Sequence, residues 1–172
     1  MKTVISQTHN ALEVHLYYLA LFSALTIPDI AAALESQDGR ANGKRYAAWY
    51  EKWVRPRLRE ARARDNPFTG EMCYGFRCRL LHQGRSQGDG DPYQRIVFIE
   101  PGHPNYSLHY CTVSEKILII QLDAFVREVL EGCKLWLKDV EGTKPFTENY
   151  ARFARRHPDG LAPYIVGPPL VG

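Results

Sequence analysis

Residues 71–85 read EMCYGFRCRLLHQGR, and the residues at the borders of this stretch define a helix. Thr69 stands just before it and has a hydroxyl that can cap a helix N-terminus, while Gly84 is the residue type that most often ends a helix. The sequence therefore predicts a helix from Gly70 to His82. The Leu80–Leu81 pair is expected to enter a hydrophobic core, so this helix indicates a mainly helical fold.

The chain before this helix also has helical periodicity. A helix is predicted over residues 3–35, and the Ile27–Asp29 segment is expected to break it, because Pro28 suits the first turn of a new helix. A polar loop follows over Ser36–Gly43. A second helix is predicted over Lys44–Val54, with an aromatic stripe that we interpret as core: Tyr46, Trp49, Tyr50 and Trp53.

A basic run separates that second helix from residue 71. The segment Arg57–Arg64 is expected to form a basic helix or turn, which Asp65–Pro67 stops. Between Arg40 and Arg85 the chain has twelve Lys or Arg against four Asp or Glu, whereas the rest of the chain is net acidic. An anionic partner such as RNA would meet a favourable field in this half. The alternative is that the run is simply a solvated surface.

The second half of the chain combines strands with a long helix. Arg95–Glu100, Ser107–Val113 and Ile117–Gln121 are strand candidates, which predict a small antiparallel insert. Asp123 is expected to cap an amphipathic helix whose apolar positions share one face: Val126, Val129, Leu130, Cys133, Trp136 and Leu137. A final helix is predicted over Thr147–Arg156.

The domain organisation predicted from these elements is simple. Residues 1–156 are expected to form one domain with the β insert at about residues 95–121, and residues 157–172 a tail. The tail contains seven Pro or Gly residues, so no regular element is expected in it. Its apolar side chains are expected to pack on the body or on a second subunit.

Composition places the chain among soluble globular proteins. Its 172 residues are 45% apolar and 24% charged. The uncharged stretch that ends at Pro28 is too short to span a bilayer and predicts a buried helix, and the N-terminus lacks the pattern of a signal peptide. None of the four cysteines has zinc-ligand spacing, so we expect a cytoplasmic protein with reduced thiols and without a metal, a cofactor or a membrane partner.

Arg77 and His82 are separated by four residues and together suggest phosphodiester chemistry. An imidazole can take the proton of a ribose 2′-hydroxyl, and a guanidinium can stabilise the charge that develops on the phosphate. On one helix, however, the two positions lie about 140° apart. We therefore expect them to meet only if the helix unwinds near Gly84 or a second subunit contributes.

Three segments carry a family resemblance: Ala24–Asp29 (ALTIPD), Cys73–Tyr74, and Arg77–Gly84 (RCRLLHQG). Together with the order of a long helix, an aromatic helix, a helix ending in the Arg/His pair and a later helix with Trp136, they resemble the HEPN (higher eukaryotes and prokaryotes nucleotide-binding) domain. The resemblance covers about residues 5–140 and implies a helical bundle with a strand insert before its last long helix.

Many HEPN proteins are metal-independent endoribonucleases that act as toxins or in phage defence. The resemblance implies that Arg77 stabilises the scissile phosphate and that His82 is the general base, leaving 2′,3′-cyclic phosphate ends. It also implies a homodimer with one composite site. Arg79, Arg85 and Tyr74 are candidate RNA contacts beside the pair. An antitoxin or immunity protein would be a further partner of a toxin.

A second interpretation belongs to another class. The chain would be a non-catalytic helical module that binds nucleotide, RNA or protein. His82 would then be a histidine of the last helical turn, favourable to the helix dipole, and Arg77 an exposed or salt-bridged residue. Cys78 favours this interpretation, because the residue after the motif arginine is often a polar one in the family and a thiol is a poor hydrogen-bond donor.

Overall fold

The structure, a computed structural model, describes residues 1–57, 68–88, 92–102, 108–114 and 116–172. Its helices are α1 Lys2–Glu13, α2 Tyr17–Glu35, α3 Gly43–Trp53, α4 Gly70–Gln83, α5 Leu122–Val140 and α6 Lys144–Tyr150, with a short 3-10 helix at Arg55–Arg57. Its strands are β1 Arg95–Ile99, β2 Cys111–Val113, β3 Ile117–Gln121, β4 Arg156–His157, β5 Gly160–Leu161, β6 Ile165–Val166 and β7 Leu170–Val171. The prediction of a mainly helical chain with a small β element is confirmed.

Parts of the basic run lie outside these ranges. Its residues after Arg57, which include Arg59, Arg62 and Arg64, belong to the segment that the structure does not describe. The same holds for the helix stop predicted at residues 65–67 and for Ser107, the predicted first residue of a strand.

The break between the first two helices lies far from the predicted one. The chain turns at Val14–Leu16, where His15 has a φ of 61°, and Pro28 lies buried inside α2. A proline in a helix leaves the carbonyl four residues earlier without its partner and distorts the turn. Here the Tyr46 hydroxyl, from another helix, donates to the neighbouring carbonyl of Leu25 at 3.0 Å. The prediction of a break at Pro28 was wrong because a tertiary contact supports the interrupted turn.

Helix α2 is the centre of the bundle. It packs against α1, α3, α4, α5 and α6, and one side of it is buried along its length. By length and composition it is the one helix of the described ranges that could cross a membrane. Half of the 18-residue apolar stretch that meets this criterion is buried inside the protein. The core helix of a soluble protein passes the same test, and the core around α2 extends from Met1 to Phe146.

Helices α3 and α4 begin and end close to the predicted residues. Thr69 caps α4 by accepting from the backbone N–H of Met72 at 3.2 Å, and Gly84 ends it with a φ of 66°. The aromatic stripe of α3 is buried, as predicted. The Leu80–Leu81 pair is only partly inside: Leu80 packs against the edge of the core, whereas Leu81 is half-buried outside it.

The β insert is mixed rather than antiparallel. Its strand order is β1-β3-β2, with β3 parallel to β1 and antiparallel to β2. Ile96 on β1 stands opposite Leu118 on β3, and both are buried. The prediction of an all-antiparallel element was wrong because β3 enters between the two earlier strands instead of pairing only with its neighbour in sequence.

Helix α5 buries all six of its predicted apolar positions. Gln121, and not Asp123, is its N-cap; Asp123 lies in the first turn, where its charge suits the helix dipole. Helix α6 lies earlier than the predicted Thr147–Arg156, because Thr143 precedes it and Pro145 occupies its first turn. Asn149 of α6 is buried and donates to the carbonyls of Ala33, Leu34 and Ser36 at the end of α2.

The tail contains regular structure that was not predicted. β4 pairs with β7 and β5 pairs with β6, both antiparallel. The apolar side chains of the tail were predicted to pack on the body or on a second subunit. They do not pack on the body, since Tyr164 is 82% exposed and Val166 is 74% exposed. Short ladders form here because backbone groups of the tail pair with one another, as in the two bonds between Arg155 and Gly172.

Candidate functional site

Arg77 and His82 lie in contact within a single chain. Nη1 of Arg77 is 3.0 Å from Nε2 of His82, and α4 stays helical through both residues to Gln83. The expectation that they need an unwound helix or a second subunit to meet was wrong. The long arginine side chain spans the 140° between the two positions on the helix.

Asp29 holds the arginine from the neighbouring helix. Its Oδ2 is 2.7 Å from Nε of Arg77, so α2 and α4 are joined by an ion pair whose two side chains are each 19% exposed. The Nε–H does not point straight at the oxygen, so the contact is mainly electrostatic. The site is therefore a row, Asp29–Arg77–His82, in which the carboxylate fixes one edge of the guanidinium and the imidazole meets the other.

The row defines where the protons are. A guanidinium has only donors, so Nε2 of His82 must accept the hydrogen bond from Arg77. The imidazole is then neutral, with its proton on Nδ1. The nitrogen that would act as a base is therefore unprotonated, but its lone pair is already used by Arg77.

Burial sets the electrostatics of the ion pair. Loss of solvent raises the pKa of the Asp29 carboxyl, and the nearby charge of Arg77 opposes this shift without cancelling it. For Arg77, burial by itself lowers the pKa, but the Asp29 carboxylate and the Cys78 thiol outweigh it and the pKa is raised. The guanidinium thus stays a full cation, ready for a second anion on its solvent side.

Tyr74 and Cys78 extend the row along α4. The Cys78 thiol lies 4.0 Å from Nη1 of Arg77, and a hydrogen bond to Cys78 is the main cause of the raised pKa of Tyr74. The structure therefore brings Tyr74, one of the predicted RNA contacts, next to the pair through this thiol.

The two other predicted contacts lie elsewhere. Arg79 runs back along the helix, with its Nη1 over Gly75, about 160° around from Arg77. Arg85 follows the end of α4 and is exposed, with its backbone N–H bonded to the carbonyl of Arg79. Neither side chain is part of the Asp29–Arg77–His82 row.

Asp29 was missed as a site residue, although the sequence contained a signal. It is the only Asp, Glu, Lys or Arg between Glu13 and Glu35, within the most apolar helix of the chain. A lone charge in such a helix requires a partner from another element. The proline before it drew attention to a turn instead.

The imidazole of His109 has a structural role of its own. Its Nδ1 accepts from the backbone N–H of Gln121 at 3.1 Å, and its Nε2 is 3.1 Å from Glu128. The Tyr110 hydroxyl donates to the same carboxylate at 2.8 Å. This cluster fixes the β insert to α5 and is separate from the row.

Within the described ranges, no three His, Cys, Asp or Glu side chains are grouped so that they could hold a metal ion. Comparisons of the chain with protein-family models, with curated proteins and with solved structures gave no match. The chemistry of the Asp29–Arg77–His82 row is therefore the basis on which function is proposed.

Proposed function

We propose that the chain is a metal-independent endoribonuclease of the HEPN type, and that its biological setting is a toxin or phage-defence system. The observation that supports the proposal is the 3.0 Å contact between a neutral imidazole and a guanidinium that is fixed by a carboxylate. A general base and a phosphate-binding cation are the two groups that cleavage at a 2′-hydroxyl requires.

The contact suggests how substrate would start the reaction. A phosphate that binds the solvent side of Arg77 competes for Nη1 and releases Nε2 of His82. The freed nitrogen takes the 2′-hydroxyl proton while the 2′-oxygen forms a bond to phosphorus and the bond to the 5′-oxygen breaks. The leaving oxygen takes up a proton from water, and the protonated imidazole of His82 returns its proton to the hydroxide that is left. The products are a 2′,3′-cyclic phosphate and a 5′-hydroxyl.

We propose that the enzyme is a homodimer. An exposed apolar surface at the start of α2 supports this assembly. Tyr18 is 71% exposed and lies on nearly the same side of α2 as Asp29, within about 20° on a helical wheel. Leu16 and Leu19 beside it are 50% and 56% exposed. A second copy that covers this surface would bring two Arg77–His82 pairs towards each other.

The test is RNA cleavage in the presence of EDTA. His82→Ala is expected to slow cleavage by roughly 10²–10⁴-fold, because it removes the general base. Arg77→Ala is expected to slow it as well, and the products should carry cyclic phosphate ends. His9→Ala is the control, because His9 lies half-exposed on α1 outside the row. Equal cleavage by His82→Ala and the parent would refute the mechanism.

A second candidate function is supported by the same contact. Asp29 and His82 already contact Arg77 in the structure, so the guanidinium is held in place without a substrate. A non-catalytic helical module that binds RNA or protein would need nothing more from these residues. Binding of RNA without cleavage of any substrate would favour this function.

A further inference from the structure

A cleft follows the seam between α3 and α4, and small residues create it. The backbone of Gly70 approaches Ala47 so closely that a Cβ there would lie 2.5 Å from the Ala47 carbonyl oxygen. A Cβ on Gly43 would likewise lie 2.6 Å from the ring of Tyr74. The two helices therefore touch at both glycines, and Ala48, which is exposed, adds little bulk above them. The resulting cleft has a volume of about 680 Å³, within the range of small-molecule sites, roughly 300–1,000 Å³.

The lining of the cleft suits a nucleobase better than a phosphate. Lys44 is a cation at its edge, but Glu51 and Glu71 also line it. Glu51 is already engaged, since it accepts from the backbone N–H of Gly70 and from Arg55, each at 2.7 Å. Glu71 is an exposed residue of the lining and makes no ion pair or side-chain hydrogen bond with any residue in the described ranges, so its carboxylate is available as an acceptor.

Tyr74 connects this cleft with the Asp29–Arg77–His82 row. Its ring lines the cleft, and one turn further along α4 the Cys78 thiol lies 4.0 Å from Nη1 of Arg77. A nucleotide chain whose phosphate lies on Arg77 can therefore place an adjacent base in the cleft. Stacking of that base on an aromatic ring is a common mode of single-stranded RNA recognition.

We propose that the cleft is a guanine-binding subsite. Guanine is the base that presents two adjacent donors, N1–H and the 2-amino group, and these match the two oxygens of the Glu71 carboxylate. Tyr74 stacks on the base, and Lys44 faces the neighbouring phosphate. The inference deepens the proposed nuclease function and rests on it, because the subsite would select the nucleotide beside the scissile bond.

The first experiment measures the binding of mononucleotides to the parent protein by calorimetry. Guanosine monophosphate is expected to bind about tenfold more tightly than inosine monophosphate, which differs only in lacking the 2-amino group. Adenosine and uridine monophosphates should bind no better than the inosine compound. Equal affinities for the guanosine and inosine compounds would overturn the proposal.

Two substitutions locate the effect. Glu71→Gln should abolish the preference for guanine, because an amide offers one acceptor and one donor in place of two acceptors. Ala48→Trp should fill the cleft and prevent binding of every mononucleotide. Glu148→Gln, an exposed change on α6 outside the cleft, is the matched control and should leave the preference unchanged. A preference that survives Glu71→Gln would overturn the proposal.

The outcomes separate this subsite from the nuclease. A mononucleotide has no diester to cleave, so a guanine preference without cleavage of any RNA would support the subsite while the nuclease function failed. RNA cleavage that is indifferent to guanine and unchanged in Glu71→Gln would overturn the subsite while the nuclease function stood.

Discussion

At the scale of a single residue, Asp29 makes the stability of the folded protein depend on pH. Because burial raises the pKa of its carboxyl above the usual value, the folded state holds this proton more tightly than the unfolded state. The contribution of Asp29 to stability is therefore largest below pH of about 4, and it declines as the pH rises through the raised pKa.

The prediction is made for Asp29→Asn, which cannot titrate. The unfolding free energy of the parent minus that of the variant should fall as pH rises above about 4, and chemical denaturation at a series of pH values measures it. Asp38→Asn is the contrasting variant, since hydrogen bonds from Arg45 and Arg40 lower the pKa of Asp38 to about 2. Its difference should rise with pH between about 2 and 4 and stay constant above that range, where the difference for Asp29→Asn falls. A flat difference for Asp29→Asn would contradict the assignment.

The cysteines are distinguished by burial. Burial raises the pKa of Cys73 and of Cys133 to about 12, so both thiols are protonated at neutral pH and shielded from reagents. Cys78 and Cys111 are half-buried. We expect two thiols of the native protein to react with a disulfide reagent and all four to react in denaturant. Cys78→Ser and Cys111→Ser should each remove one fast-reacting thiol; rapid reaction of Cys73 would contradict the fold.

At the scale of elements, the end of α4 depends on one glycine. Gly84 has a φ of 66° and open space where a Cβ would lie, so Gly84→Ala adds backbone strain without a clash. We expect a loss of roughly 1–2 kcal/mol in unfolding free energy, measured by urea denaturation. Gly75→Ala, in the middle of the same helix, is the control and should stabilise it by roughly 0.5–1 kcal/mol. Equal effects of the two changes would contradict the left-handed cap.

The same elements explain what sequence alone can predict. The start and end of α4 follow from local residues, Thr69 and Gly84, so they were predicted to within one residue. The continuity of α2 through Pro28 depends on a hydroxyl of another helix, which no local pattern contains. The parallel pairing of β1 with β3 likewise depends on strand order and not on the strands themselves.

In the candidate site, too, local sequence predicts some features, whereas others depend on contacts between elements. The Arg77–His82 pair was predicted as a site from its spacing. The direct contact between the two side chains was not predicted, because helical angles do not describe how far an arginine side chain reaches. Asp29 lies 48 positions away in sequence and joins the site only through the packing of α2 on α4.

At the scale of the whole molecule, the exposed apolar surface of α2 makes a prediction about assembly. Leu19→Glu places a charge on that surface, and we expect it to weaken the proposed dimer by about 30-fold or more, as for an interface hot spot. Val166→Glu, at an apolar position of the tail that is more exposed than Leu19, is the control. Sedimentation measures both, and circular dichroism checks that the helices persist. Loss of the dimer in Val166→Glu alone would place the interface on the tail.

The clamp that Asn149 forms on the end of α2 has a consequence for the order of synthesis. Asp29, Arg77 and His82 leave the ribosome well before Asn149, and before Trp136, which donates to Glu35 at 2.7 Å on the same end of α2. At roughly 5–20 residues per second, α2 stays unclamped for several seconds after the row has emerged.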